Sequence, residues 1–179
     1  FPSTATIVQR KLGASRLMMP ACDIQAVCAG FIYALAMANS LIRSGASRRV
    51  LVIGAETMSR VVDWNDRATC ILFGDGAGAV VLEGSTEPDL GILSTHLHAD
   101  GSFEDLLRTD GGISQGLLVD PTSGRGLTRM KGNEVFKQAV KALEGLVDET
   151  LLANGLKKTQ IDWLVPHQAN IRIIHSTAK

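Results

Sequence analysis

The hydrophobic pattern of this chain changes at Asp23-Ile24-Gln25-Ala26-Val27-Cys28-Ala29-Gly30-Phe31. Before and into this stretch, residues 18–27 form an apolar run with little helical periodicity, which predicts a strand. After it, apolar residues recur three and four positions apart, which predicts an amphipathic helix that closes at Gly45. The residues at that spacing are Phe31, Leu35, Ala38 and Ile42. Cys28 is therefore predicted where a strand leads into a helix.

The predicted position of Cys28 suits a nucleophile. Free backbone N–H groups and the positive end of the helix dipole favour a thiolate at the start of a helix. Ala29 and Gly30 leave the sulfur uncovered and allow a substrate to approach closely. The alternative is a cysteine that only fills space, because free cysteine is among the most buried residue types. The stretch by itself leaves both interpretations open.

Charge and cysteine content narrow the functional class. The chain has 18 basic and 18 acidic residues, and this balance argues against a protein that binds nucleic acid or a membrane surface. Its 3 cysteines lack metal-ligand spacing, which favours the reducing cytoplasm over a disulfide scaffold. No apolar run approaches the ~20 residues that cross a bilayer, and no signal peptide is visible. Because the chain opens on Phe1 and stops at Lys179 within a predicted helix, we expect it to be part of a longer protein.

Strand and helix patterns alternate along the chain, which predicts an α/β fold with buried mixed sheets. Further helices are predicted over residues 2–12, from Asn133 to Asn154-Gly155, and after Asn170, which can cap the last helix. Residues 84–89 are a candidate boundary between two halves, and residues 100–128 are predicted to be a long connection. Strands are predicted at residues 49–55, 71–73, 79–82, 91–98 and 161–166.

The glycine-rich segment at residues 74–79 (GDGAGA) invites a dinucleotide-binding interpretation. A phosphate-binding glycine loop follows a strand and opens a helix, whereas this segment runs into the strand pattern of residues 80–82. A tight turn between two strands is the favoured interpretation.

His167 is the second candidate catalytic residue, since it follows the predicted strand at residues 161–166. A lone histidine in an apolar setting is more often structural, but α/β proteins place working groups at strand exits. Cys28 is predicted at a similar exit, so the two side chains could share one crevice. His96 and His98 lie on one face of another predicted strand without a third ligand, so no metal site is predicted.

Three basic residues could form a basic surface patch near His167. Arg172 and Lys179 are seven positions apart on the last predicted helix and share a face, and Lys137 lies on the preceding helix. From the residues alone, an ordinary solvated face is the favoured interpretation.

Five blocks, in chain order, resemble the β-ketoacyl-acyl-carrier-protein synthase III family. They are AVCAGF (26–31), FGDGAGA (73–79), STHLHADG (94–101), GNEVFK (132–137) and WLVPHQAN (163–170). The resemblance implies a thiolase-like fold of two similar halves stacked into an α-β-α-β-α sandwich, of which this chain would cover the middle. Residues 1–88 would be the later part of the N-terminal half, and residues 89–179 the first part of the C-terminal half.

The resemblance also implies an activity. The family performs a decarboxylating Claisen condensation of a short acyl-coenzyme A with malonyl-acyl carrier protein, through an acyl-cysteine, and so initiates fatty acid biosynthesis. This would be a cytoplasmic homodimeric acyltransferase that needs no metal or redox cofactor. Its partners would be acyl carrier protein and acetyl-coenzyme A or another short acyl-coenzyme A.

Site residues follow from the resemblance position by position. Cys28 and His167 match two of the three catalytic residues, while the third, an asparagine, would lie beyond Lys179. The other matches are Arg67 on the coenzyme A adenine, Asn133 and Ala169 along the pantetheine, Phe73 near the acyl pocket, Lys137, Gln168, Arg172 and Lys179 on the carrier protein, and Phe1 at the dimer interface.

Two alternatives stay open. One is another thiolase-fold acyl-coenzyme A condensing enzyme or acyltransferase, which would share Cys28 and His167 but use a different acceptor. The other is a non-catalytic fragment.

Overall fold

A computed structural model describes residues 2–87, 90–111 and 126–178 of the chain. Helices and strands are interspersed along these residues, which agrees with the predicted α/β class. The helices are α1 (Thr4–Lys11), α2 (Gly30–Arg43), α3 (Arg67–Cys70), α4 (Gly132–Asn154) and α5 (Ile171–Thr177). The strands are β1 (Arg49–Thr57), β2 (Asp75–Glu83), β3 (Leu107–Thr109) and β4 (Thr128–Met130). Of the helices in these ranges, none carries an apolar stretch long enough to cross a bilayer.

The larger sheet pairs β1 with β2 in antiparallel register, from Arg49 opposite Glu83 to Thr57 opposite Asp75. Helix α2 packs on one face of this sheet, where Val52 of β1 and Ala38 of α2 are both buried. The helix also contacts the sheet at Gly54, where a Cβ would lie in ordinary van der Waals contact, 3.8 Å from Cδ2 of Phe31. The helix that begins behind Cys28 is thus anchored on the sheet.

The other face of the same sheet carries apolar side chains that are exposed. Leu51 lies directly opposite Val81, so both point to the same face, and Ile53 lies two positions further along it. All three are exposed within the described chain. The uninterrupted apolar pattern of residues 49–55 predicts burial on both faces, and one face is covered by described residues.

A smaller sheet connects the segment before α3 to the start of α4. β3 and β4 pair in antiparallel register, and Val62 forms a parallel bridge to Thr128. The Thr128 amide donates to the Val61 carbonyl at 2.6 Å. Val62, Leu127 and Thr128 are buried at this junction. The contact fixes the residues around α3 next to β4, which leads directly into α4.

Helix α5 packs on α4 near the start of α4. The guanidinium carbon of Arg172 lies 5.4 Å from the centroid of the Phe136 ring, a cation–π distance. The predicted cap of α5 is confirmed, because Oδ1 of Asn170 accepts from the Arg172 amide at 2.9 Å. The predicted end of α4 is confirmed too, with Gly155 in the left-handed region at φ 62°.

Several strand predictions are wrong for the described residues. Residues 18–26 form no strand, and a 3-10 turn, Val27–Ala29, precedes α2. Residues 71–73, 91–98 and 161–166 also lie outside strands. Apolar alternation indicates which face a residue would take, but a strand also needs a paired neighbour, and these segments have none among the described residues.

The glycine-rich segment is not a turn between two strands. From residue 75 it belongs to β2, where Gly76 lies opposite Glu56 and Gly78 lies opposite Gly54. Backbone groups make the ladder, so glycine can occupy strand positions despite its poor intrinsic preference. The segment also lacks the strand–loop–helix context of a dinucleotide-binding loop. β3 lies within a stretch predicted to be a connection, while residues 112–125 lie outside the described residues.

Candidate active site

Cys28 lies at the surface, just before the N-terminal end of α2. It occupies the middle of the 3-10 turn Val27–Ala29, which leads directly into Gly30 at the start of α2. The turn is closed by a hydrogen bond from the Ala29 amide to the Ala26 carbonyl at 3.1 Å. The first amides of an α-helix have no intrahelical acceptor and together carry a partial positive charge. Charge that develops on or near the sulfur would therefore face a favourable field.

The backbone beside Cys28 is strained. Val27 has φ of 51°, in the left-handed region that β-branched residues rarely adopt. Such residues cost about 1–3 kcal/mol and cluster at functional sites, where the surrounding structure holds them. The Val27 side chain is 76% exposed, so packing of that side chain does not explain the strain. The turn presents Cys28 outward at an energetic cost, which supports a functional role.

The three cysteines differ in environment, and this separates the two interpretations of Cys28. Cys22 and Cys28 are exposed, whereas Cys70 at the end of α3 is buried. Space-filling describes Cys70. It does not describe Cys28, since a Cβ added at the neighbouring Gly30 would meet nothing within 4 Å. The space next to Cys28 is open.

His167 lies in the irregular segment before α5 and is exposed. Within the described ranges, neither the Cys28 sulfur nor the His167 ring makes a hydrogen bond. The structure thus places both side chains at the surface without a hydrogen bond between them, and their shared crevice stays a prediction.

The start of α4 and the start of α5 bring several predicted site residues together. Asn133 and Lys137 are one turn apart on α4 and exposed, and the Phe136 ring between them contacts Arg172. Gln168 and Ala169 immediately precede the Asn170 cap of α5. Lys179 and Phe1 lie outside the described residues.

The chain matches two models of one family. The model of 3-oxoacyl-[acyl-carrier-protein (ACP)] synthase III covers residues 22–101, and that of the synthase III C-terminal region covers residues 151–179. Beta-ketoacyl-[acyl-carrier-protein] synthase III of Thiobacillus denitrificans is 61% identical over all 179 residues. The synthase III of Alkalilimnicola ehrlichii is 59% identical over the same length.

The chain belongs to the 3-oxoacyl-[acyl-carrier-protein] synthase III family. It spans about half the length of these curated relatives, 54% of each. Solved structures of this fold are similar over 99% of the chain. The synthase III of Aquifex aeolicus VF5 matches with a TM-score of 0.87 and 48% identity, over 53% of that protein. The priming β-ketosynthase of the R1128 polyketide pathway matches with a TM-score of 0.84 and 36% identity, over 52% of that protein. The thiolase-like α/β fold class is confirmed.

The family models include most predicted site residues of this synthase III chain. The first covers Cys28, Arg67 and Phe73, and the second covers residues 167–179, which contain His167. Asn133 and Lys137 lie between the two. The division of the chain into halves at residues 88 and 89, and the role of each residue, stay predictions.

Arg67 is the first residue of α3 and is exposed. The helix is capped by Asp66, whose Oδ1 accepts from the Ala68 amide at 3.1 Å. A hydrogen bond from the Thr69 hydroxyl, with backbone amides, holds the pKa of the Asp66 carboxyl below its usual range. A cavity of about 180 Å³, lined in part by Trp64 and Asn65, lies just before Arg67. Phe73 is half-buried in the segment that leads from α3 into β2.

Glu149 is a residue of synthase III that the sequence reasoning missed. Its carboxylate contacts both His96 and His98, at 3.0 Å and 2.8 Å. No group of three or more His, Cys, Asp or Glu side chains in the described part of the chain is arranged to hold a metal ion. The sequence offers one signal for this contact: two histidines on one face of an extended segment, and an acidic residue beside the apolar face of α4.

Proposed function

We propose that this synthase III chain carries the acylated cysteine of a decarboxylating Claisen condensation. A short acyl-coenzyme A would be the starter and malonyl-acyl carrier protein the extender, in the first condensation of fatty acid biosynthesis. The observation that carries the proposal is Cys28, exposed on a strained turn at the start of α2 in a chain that matches the family. The enzyme class is an acyltransferase.

In the first half-reaction, the Cys28 thiolate attacks the thioester carbonyl of the acyl-coenzyme A. The tetrahedral oxyanion that forms would be stabilised by the backbone N–H of Cys28 itself. The carbon–sulfur bond of the starter then breaks, the coenzyme leaves as its thiolate and takes a proton from water, and the acyl group stays on Cys28. The thioester exchange is balanced without an oxidant or a metal.

In the second half-reaction, malonyl-acyl carrier protein loses carbon dioxide. The electron pair of the broken carbon–carbon bond moves into an enolate, and an N–H of His167 hydrogen-bonds the enolate oxygen. The enolate carbon then attacks the acyl group on Cys28, whose sulfur leaves as the thiolate. The product is a 3-ketoacyl-acyl carrier protein. These steps call for no metal or redox cofactor.

The surface at the start of α4 and α5 would receive the carrier protein. Lys137, Gln168, Arg172 and Lys179 would meet its acidic surface, and the Arg172–Phe136 contact supports a shared patch with Lys137. The coenzyme would contact Arg67, Asn133 and Ala169, and the acyl chain Phe73. We place the enzyme in the cytoplasm as a homodimer.

Acyl mapping tests the proposal. The full-length gene product is incubated with acetyl-coenzyme A, digested and analysed by peptide mass spectrometry. We expect one acetyl group on Cys28 and none on Cys22, which is also exposed and serves as the internal control. Acetylation of Cys22 or Cys70 with Cys28 unmodified would refute the assignment.

A second candidate keeps the same chemistry and changes the acceptor. The similarity to the priming β-ketosynthase of the R1128 polyketide pathway motivates this alternative, because it shows that the fold also occurs in a condensing enzyme of another pathway. Rates with malonyl-acyl carrier protein and with malonyl-coenzyme A separate the two, since only a carrier-dependent enzyme should discriminate strongly between them.

A further inference from the structure

A network of side chains away from Cys28 and His167 joins an extended segment to helix α4. Oε1 of Glu149 in α4 is hydrogen-bonded to Nδ1 of His96 at 3.0 Å, and Oε2 is hydrogen-bonded to Nε2 of His98 at 2.8 Å. We call Ser94, His96, His98, Glu149 and Asn154 the Glu149 tie. Each carboxylate oxygen thus has its own imidazole.

The direction of the hydrogen bonds in the tie follows from its ends. Asn154 donates one amide hydrogen to the Thr150 carbonyl at 2.8 Å and the other to Oγ of Ser94 at 2.7 Å. The Ser94 hydroxyl is then free to donate to Nε2 of His96, which lies 3.0 Å away. His96 in this tautomer carries its proton on Nδ1 and donates it to Glu149. The chain of donors therefore ends on the carboxylate, which is the strongest acceptor present.

The order serine, histidine, acid resembles a hydrolase triad, but the details favour a structural tie. The Ser94 oxygen that would attack a substrate already accepts from Asn154. Glu149 is also shared with a second imidazole, that of His98. In both features the polar atoms join the segment to α4, and none is left to act as a nucleophile or its base.

The same extended segment contacts the helix that begins behind Cys28. The Tyr33 hydroxyl of α2 donates to the His98 carbonyl at 3.2 Å. On the other side, α4 packs against α5, which follows His167 directly. The segment of residues 94–98 is therefore a bridge from the Cys28 helix to the helix pair that carries the His167 segment.

We propose that Glu149, His96 and His98 are positioning residues that hold α4 and the His167 segment in place relative to α2 and Cys28. This inference rests on the proposed function. Acylation of Cys28 uses one side of the bridge, whereas condensation requires Cys28 and His167 around one substrate. Loss of the tie therefore impairs condensation more than acylation, because small displacements of a reacting group are costly.

The test compares the two half-reactions in Glu149→Ala. Acylation is measured with acetyl-coenzyme A, condensation with malonyl-acyl carrier protein, and folding by circular dichroism and thermal unfolding. We expect condensation to fall on the order of ten- to a hundredfold and acylation to change less than about twofold. Glu149→Gln, whose amide oxygen can still accept from one imidazole, should recover part of the loss.

Asp148→Asn is the matched control. Asp148 is the neighbouring acid on α4, it is exposed, and its nearest ion partner is Nζ of Lys158 at 3.9 Å. We expect both half-reactions to match those of the unaltered enzyme. If Glu149→Ala fails to fold, His98→Leu replaces it, because His98 is largely exposed and its loss leaves the His96 bond intact.

The outcomes separate the inference from the proposed function. Equal losses in both half-reactions, or condensation equal to that of Asp148→Asn, would overturn the positioning role. Absence of Cys28 acylation in the unaltered enzyme would instead overturn the proposed function. A selective loss of condensation, partly recovered by Glu149→Gln, supports both.

Discussion

Replacement of Val27 by glycine should stabilise the fold and slow acylation of Cys28. The left-handed φ of 51° costs valine about 1–3 kcal/mol, and glycine adopts it without strain. Glycine also gives the unfolded chain more conformational entropy, which offsets roughly 0.5–1 kcal/mol of this stabilisation. Val27 is 76% exposed, so little apolar burial is lost. The expected net gain in the free energy of unfolding is about 1 kcal/mol.

The functional effect of Val27→Gly should have the opposite sign. A more flexible turn fixes the Cys28 sulfur and its backbone N–H less firmly, so we expect a several-fold slower transfer of the acetyl group. Val27→Ala is the control, because alanine keeps the Cβ that makes the conformation unfavourable.

Urea unfolding and single-turnover acetylation measure the two effects. The midpoint should rise in Val27→Gly without a change in slope, and stay close to the original value in Val27→Ala. A fall in stability greater than about 1 kcal/mol in Val27→Gly would show that the turn is not strained. Unchanged acetylation in a stabilised variant would show that the strain does not serve Cys28.

Three further predictions concern His167, Arg172 and Glu149. His167→Ala should lower the rate of condensation by about 100-fold or more, the loss expected when an oxyanion donor is removed, while the rate of Cys28 acylation is less affected. Equal losses in both rates would instead indicate that His167 is the base for Cys28. Arg172→Glu should weaken the use of malonyl-acyl carrier protein several-fold and reduce its salt dependence, because one exposed charge at the rim of an interface contributes ~0.5–1 kcal/mol to binding. Acylation by acetyl-coenzyme A should be unaffected. Hydrogen bonds from His98 and then His96 hold the pKa of the Glu149 carboxyl below its usual value. Its stabilising contribution is therefore complete above the unfolded-state pKa and lost as the pH falls through the folded-state pKa. Unfolding free energies from about pH 6 down to about pH 3 should consequently fall more steeply in the unaltered enzyme than in Glu149→Gln, and parallel curves would contradict this.

Helices could be predicted because their signals are local. The periodicity from Phe31 onward predicts α2, and Gly155 and Asn170 mark the end of α4 and the start of α5 within a few residues of the structure. Each signal acts within one or two turns of the chain, so no knowledge of distant partners is required.

Strands and the Glu149 tie depend on partners far along the chain, and these were predicted poorly. The β2 ladder includes Gly76 and Gly78, which by local preference belong in a turn, because β1 supplies a partner 20 or more residues earlier. His96 and Glu149 are separated by 53 positions. The position of Cys28 at a helix start could be predicted from sequence, because it depends on the adjacent periodicity. The strain at Val27 could not, because it depends on the backbone conformation.

The unequal exposure of the three thiols makes this protein suitable for site-selective chemistry. Cys70 is buried in α3, while Cys22 and Cys28 are both reachable from solvent. A Cys22→Ser variant would therefore leave Cys28 as the exposed thiol of this chain, and a maleimide would label it only while it is not acylated. Loss of maleimide labelling after incubation with acyl-coenzyme A would report the extent of acylation without a condensation assay, and the open space beside Gly30 would admit a bulky electrophilic inhibitor.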